Sequence, residues 1–123
     1  MRFLTDRKRA TGMGSAHKGT EHFWNMKLSS VALLLLIPFF LLTVIPMLGE
    51  PYADVTAHFA RPFPALVAAL TLVVGFVHFK DGCQVLIEDY VHGTAQKVTI
   101  ILMTCLCYAA AATGVFAIAR LAL

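Results

Sequence analysis

Three long apolar stretches, parted by short polar ones, set the plan of this chain. The first runs from about Val31 to Leu48 and reaches back to Trp24, the second from about Phe63 to Phe79, and the third from Val98 to Leu123. A helix needs roughly 20 predominantly apolar residues to cross the hydrocarbon of a bilayer, and each stretch, with some polar residues at its ends, supplies them. The pattern therefore predicts an all-α protein with three transmembrane helices, at about 24–48, 61–88 and 95–121. It also divides the chain into a polar tail, 1–22, and a three-helix membrane domain, 23–123.

The second stretch is broken by polar residues. In the run from His78 to His92, His78, Gly82, Asp89 and Tyr90 interrupt an otherwise hydrophobic pattern. An ionisable group inside a membrane has no water to solvate it, so its presence is a reason to look for a partner or a cofactor. His78 and Asp89 are separated by close to three helical turns, which sets both on one face about 16 Å apart along the axis. Gly82 lies one turn from His78 on that face, where the missing side chain would let a flat macrocycle approach. A buried neutral imidazole suits the axial position of a haem iron, and a carboxylate beside a phenol suits a ligand whose chemistry moves protons. The same residues also fit a plainer reading, a histidine hydrogen-bonded to a neighbouring helix with Gly82 serving helix packing.

The remaining punctuation concerns architecture. Pro38 falls inside the first span and predicts a kink, with Pro46 near the span's far end. Trp24 marks a membrane interface, with a ligand border as the other reading. Gly49 to Asp54 carries the turn residues of a loop, and Arg61-Pro62 the re-entry into the membrane, so His58 is expected in a solvated loop. His92-Gly93-Thr94 is expected to form the other turn, with Gln96-Lys97 opening the last helix. Lys80 near the interface reads either as a topology anchor or as a group reaching an acidic part of a cofactor. Ser29 and Ser30 read as capping or helix-to-helix hydrogen bonds ahead of ligand contact. Ala110 and Gly114 have the small-xxx-small spacing of close helix contacts. Cys83, Cys105 and Cys107 lack metal-type spacing and are expected in core packing. Thr11 to Ala16 reads as a flexible stretch, either letting the tail lie along a soluble partner or simply disordered.

Composition narrows the class. With 59% hydrophobic and 14% charged residues in 123, the chain is too apolar for an ordinary soluble enzyme. The polar start lacks the short apolar core and cleavage site of a signal peptide, so the tail is expected to be retained. Arg2, Arg7, Lys8, Arg9, Lys18 and Lys27 precede the first span, and Lys80 and Lys97 belong to the same side, against Arg61 and Arg120 on the other. By the positive-inside bias the amino terminus is expected in the cytoplasm of a bacterial cell, in the inner membrane, or in the matrix if the protein is mitochondrial. The net charge of +3 is thus a topology signal, and nucleic acid is not an expected partner.

The run of His78, Gly82, Gln84, Ile87, Glu88, Asp89, Tyr90, Val91, His92 and Gly93 closely resembles the second-helix signature of the small membrane-anchor (cytochrome b) subunit of succinate dehydrogenase, respiratory complex II. Upstream, Gly14-Ser15-Ala16, Gly19-Thr20, His22-Phe23-Trp24, Lys27, Ser29 and Ser30 resemble the alphaproteobacterial form, so the resemblance covers nearly the whole chain. It implies a helical bundle shared with a larger cytochrome b anchor subunit, one haem b held between the two, and a ubiquinone site beneath an iron–sulfur subunit that is fed by a flavoprotein. A trimer of such heterotetramers is compatible with it. Carried over by motif, His78 is the haem iron ligand, Tyr90 the direct ubiquinone contact and Asp89 its support. Lys27, where related chains commonly carry arginine, and His22 are then cofactor-binding candidates beside the haem propionates or the quinone. For His22 an exposed tail histidine is the equal alternative. Asp81 departs from the apolar residue expected at its position, which leaves the polarity around the haem open. Two rivals remain: the anchor of a quinol:fumarate reductase, and a non-redox membrane scaffold or small transporter subunit.

Overall fold

The computed structural model describes residues 4–14 and 19–123, so Arg2, Ser15, Ala16 and Lys18 of the basic tail lie outside the described residues. The described residues form five α-helices in order, α1 (Asp6–Thr11), α2 (Glu21–Val44), α3 (Tyr52–Phe59), α4 (Pro62–Tyr90) and α5 (Gly93–Ala122), with a 3₁₀ turn, Ile45–Met47, closing α2. Among the described residues there is no strand. α2 with its 3₁₀ turn, α4 and α5 are 27, 29 and 30 residues long and apolar enough to cross a membrane. At 1.5 Å per residue each measures about 40 Å, longer than a hydrocarbon core of about 30 Å, so their ends stand at the interfaces.

The helix ends follow from local chemistry. α4 begins at Pro62, whose fixed φ suits the first helical turn, after an extended Arg61. It ends at Tyr90, because Val91 and His92 are both extended. Gly93, at φ 70°, then turns the chain straight into α5. The turn is thus shorter than expected, and α5 starts at Gly93 where Gln96-Lys97 was anticipated. α2 continues helically through Pro38, while Pro46 sits in the 3₁₀ turn.

Two expectations are corrected on the far side. Tyr52–Phe59, read as loop, is a helix that follows Pro51, carries Asp54 in its first turn and His58 in its last, and packs against α4 and α5. His58 is accordingly half-buried and not solvated: Phe59 beside it is buried, the two rings meet edge to face at 5.3 Å, and Nε2 of His58 is enclosed without a hydrogen-bond partner among the described residues. Tyr52, Val55 and Phe59 do carry the i, i+3, i+7 spacing of a helix face, a signal masked by the turn residues just before it, and packing against two long helices supplies the stabilisation that so short a helix lacks alone.

α4 is the central helix. It packs against α2 on one side and α5 on the other. The share of each span buried by the chain itself is 17% for α4 against 6% for α2 and α5. Among the described residues the buried apolar ones are Phe59, Pro64, Val67, Ala68, Ile87 and Cys107, while Leu34, Leu42, Leu66, Leu102, Leu106, Phe116 and many others are exposed. So small a core cannot hold three long helices together in water; in lipid, where the hydrophobic effect no longer drives helix association, close packing does. Gly114 shows such a contact, since a Cβ there would stand 3.0 Å from Cδ1 of Leu72 on α4. The small-xxx-small segment thus serves contact within this chain. Cys107 is buried and Cys83 half-buried, but Cys105 is exposed on the apolar surface, a correction to its expected core role. α5 turns only part of its circumference to α4, so neighbouring cysteines on it differ in environment.

Candidate functional site

The end of the molecule where α2 begins, α4 ends and α5 begins gathers the polar side chains, and is termed here the proximal end. His78 lies on α4, twelve residues before Tyr90 and so about 18 Å along the axis from that end. Its ring is half-buried. Nδ1 of His78 stands 2.9 Å from Oγ of Ser29 on α2, which is itself buried and 2.9 Å from the carbonyl oxygen of Met26. Ser30 donates to the same carbonyl at 2.9 Å. The helix-to-helix reading of Ser29 therefore holds, and its partner is the histidine that the sequence singled out. The bond uses Nδ1 and leaves Nε2 as the ring nitrogen for a second interaction.

On the outward side His78 borders a shallow groove of about 320 Å³, lined by His78, Phe79, Gly82, Cys83 and Leu86, all of α4. Gly82 is exposed, and a Cβ added there would meet nothing within 4 Å. Its lack of a side chain thus serves no contact among the described residues. Gly75 is open in the same way and lies two turns back on nearly the same face. The sequence reading passed over Gly75, though its seven-residue spacing from Gly82 was a usable signal.

α4 meets its neighbours differently on the other flank. A cavity of about 440 Å³ is lined by Asn25, Ser29, Val77, Lys80, Asp81 and Tyr108, among others, drawn from α2, α4 and α5. Asp81 is buried at 6% exposure and pairs with Lys80 next to it in the chain. A carboxylate so enclosed requires its counter-charge. Lys80 is thereby committed to an ion pair, which neither expected role, a topology anchor or an arm toward a cofactor, had included. The adjacent opposite charges were visible in the sequence, but the enclosure of Asp81 between three helices, with Lys80 half-buried beside it, was not.

The other candidate residues are spread around the proximal end, and none of them is hydrogen-bonded to His78. Asp89 and Tyr90 finish α4 and are both exposed, Tyr90 at 79%. Asp89 lies on the face of His78, whereas Tyr90 points about 100° further round the helix. Gln96 reaches from α5 to the carbonyl of Glu88 at 3.4 Å, and Gln84 donates to the Glu88 carboxylate at 2.8 Å, bracing the turn beneath them. Lys27 is exposed, with its ammonium 5.0 Å from the ring centre of Phe23, a ring that meets Trp24 edge on. His22 is half-buried, and its Nε2 is enclosed with no hydrogen-bond partner among the described residues. This corrects the exposed tail histidine that was one of its two readings. It begins α2 and does not belong to a free tail.

Such an arrangement defines a multi-pass membrane protein of three spans, with an intramembrane histidine on its central helix and polar groups concentrated at one end. Over residues 1–116 the sequence matches the family described as succinate dehydrogenase/fumarate reductase transmembrane subunit, and the chain belongs to that family. It is 45% identical over 123 residues, covering 100% of this chain and 95% of the relative, to the succinate dehydrogenase hydrophobic membrane anchor subunit of Paracoccus denitrificans. No solved structure matches the chain.

Proposed function

We propose that this chain is the small membrane-anchor subunit of a succinate:ubiquinone oxidoreductase, sharing a haem b with a larger anchor subunit and forming part of the site where ubiquinone is reduced. The observation that carries the reading is the His78 ring, tied to α2 through Nδ1 and bordering an outward groove whose glycine no residue among those described explains. His78 is the residue of this chain that would hold the haem iron, with a further ligand to come from the larger subunit. A bound haem b supplies a one-electron redox centre inside the membrane. The residues of this chain would hold and shape its surroundings: His78 would offer Nε2 to the iron, Gly82 would let the flat ring approach α4, and Lys27 and His22, at the start of α2, would meet acidic propionates or the quinone. Lysine lacks the planar fork of arginine, so Lys27 acts there as a single point of charge.

Ubiquinone is the substrate at this end. Its reduction takes two electrons and two protons, turning each ring carbonyl into a hydroxyl. Tyr90, a phenol at the exposed end of α4, donates a hydrogen bond to one carbonyl, which polarises it as the electrons arrive. Asp89 supports the polar side of the pocket and can pass on a proton. Succinate oxidation is the work of the flavoprotein, and electrons arrive through the iron–sulfur subunit docked at the proximal end. That end therefore faces the cytoplasm of a bacterium, as the basic residues around it favour, and the heterotetramer can assemble further into trimers. The likeness to a succinate dehydrogenase anchor subunit of Paracoccus denitrificans favours the succinate-oxidising direction over the fumarate-reducing one that the family also includes.

The experiment is a visible spectrum of the purified, membrane-extracted complex carrying His78→Leu. Loss or alteration of the b-type bands, with succinate oxidation by a soluble acceptor retained, is the expected result. An unchanged spectrum in a fully assembled, haem-loaded complex contradicts the ligand assignment. A wild-type complex with neither haem bands nor quinone dependence would return the chain to the scaffold reading. Orientation is checked separately by cysteines inserted beside Ala16 and after Leu123: the first is protected from an external reagent in intact cells and the second is labelled, whereas protection of both contradicts three spans.

A further inference from the structure

The hydroxyl of Ser29 has one proton to give and two neighbours, the Met26 carbonyl and Nδ1 of His78, each at 2.9 Å. A carbonyl can only accept, so wherever Ser29 serves Met26 it is the donor. Toward His78 both directions are open in principle. If Ser29 donated to Nδ1, the ring proton would sit on Nε2 and that nitrogen could hold no metal. If Nδ1–H donates to Ser29, the hydroxyl proton goes to the Met26 carbonyl, every group in the chain of bonds is satisfied, and the Nε2 lone pair is free. Only the second arrangement is compatible with ligation, and it needs no rearrangement of the side chains.

From this we infer that Ser29 is a positioning residue for the haem: it accepts the Nδ1 proton of His78, holds the ring in the tautomer that can bind iron, and raises the donor strength of Nε2. The inference rests on His78 being the ligand. The outer hydrogen bond of a ligating histidine fixes ring orientation and makes the ring more basic, which favours the ferric iron over the ferrous. Here the acceptor is a neutral hydroxyl, weaker than a carboxylate, and it is itself polarised by its bond to a backbone carbonyl. Burial of Ser29, at 8% exposure, keeps water from taking its place. Ser29 and His78 come from different helices, so the same bond ties the orientation of the ligand to the packing of α2 on α4.

The test is a redox titration of the haem bands, with the low-temperature electron paramagnetic resonance spectrum of the ferric haem, in complexes bearing Ser29→Ala and Ser29→Thr. Ser29→Ala removes the acceptor with little change of volume, and the midpoint potential is expected to move to a more positive value, with a displaced low-spin signal. Ser29→Thr keeps a hydroxyl and is expected to stay at the wild-type potential. Wild-type potential and signal in Ser29→Ala, or equal displacement in both variants, would overturn the role. Should Ser29→Ala fail to assemble with haem, Ser29→Cys takes its place. Its thiol is a poorer acceptor of similar size, so a smaller positive shift supports the role and a wild-type value refutes it. Failure of the ligand assignment reads differently: His78→Leu would then leave the spectrum intact, whereas loss of the bands in His78→Leu together with an unmoved potential in Ser29→Ala removes only the inference about Ser29.

Discussion

Two glycines inside the membrane, Gly114 on α5 and Gly82 on α4, have opposite explanations. At Gly114 the reason is within the chain: Leu72 stands so close that a Cβ would meet it at 3.0 Å. At Gly82 a Cβ would meet nothing, and the groove it shares with His78 is made by α4 alone. The first region is finished by the fold of this chain. The second lies open, next to a histidine anchored from behind by α2. Internal packing accounts for one and leaves the other to whatever lies against the outward face of α4, which is the physical basis for expecting a cofactor and a second subunit there.

The contrast can be broken by substitution, most drastically at the open glycine. Gly82→Leu is expected to abolish haem incorporation, read as loss of the b-type bands in the purified complex, while the chain itself still inserts and is recovered from the membrane. Retention of full haem content would show that the groove is not where the macrocycle lies.

This difference was only partly legible in the sequence. The three spans, His78, Asp89 and Tyr90 stood out because polar residues in apolar runs are costly and so informative. Their surroundings did not. The partner of Nδ1 comes from Ser29, 49 positions away, and no local pattern could single it out from Ser30 beside it. His58 looked like a loop residue because the turn chemistry of Gly49 to Asp54 outweighed the i, i+3, i+7 spacing of Tyr52, Val55 and Phe59, and a helix so short depends on packing. Asp81 looked like a departure from type, and only the meeting of α2, α4 and α5 reveals that it is enclosed, with Lys80 half-buried beside it. Gly82 and Gly114 are indistinguishable as letters.

Asp81 tests the closed flank of α4 next. Asp81→Leu alone leaves the half-buried Lys80 without its counter-charge, for which a cost somewhat below the roughly 3–5 kcal/mol of a fully buried pair is expected. The measurement is the temperature at which the detergent-solubilised complex loses its subunits. Replacing both members, Lys80→Met with Asp81→Leu, is expected to recover most of that loss, because the pair's own net contribution is small. Equal loss in the single and double variants would mean that the charges serve something other than each other. Gly114→Val should cost less, about 1–3 kcal/mol from overpacking against Leu72, with haem content retained in the complex that remains. Loss of haem from Gly114→Val at undiminished stability would erase the distinction between the two glycines.

The smallest and most telling change is a single oxygen. If the proximal end of α4 is where ubiquinone is reduced, Tyr90→Phe removes a hydrogen bond to a quinone carbonyl and keeps the ring. The bond is worth about 0.5–1.5 kcal/mol net, and more if it strengthens as charge develops on the carbonyl. The measurement is succinate-driven ubiquinone reduction by the purified complex, set beside succinate oxidation by an artificial acceptor that bypasses the membrane site. Slower ubiquinone reduction, by roughly 2- to 13-fold for that range of energies, with the bypass reaction intact, is the predicted result. Equal ubiquinone reduction in wild type and Tyr90→Phe, at both limiting and saturating quinone, would contradict it.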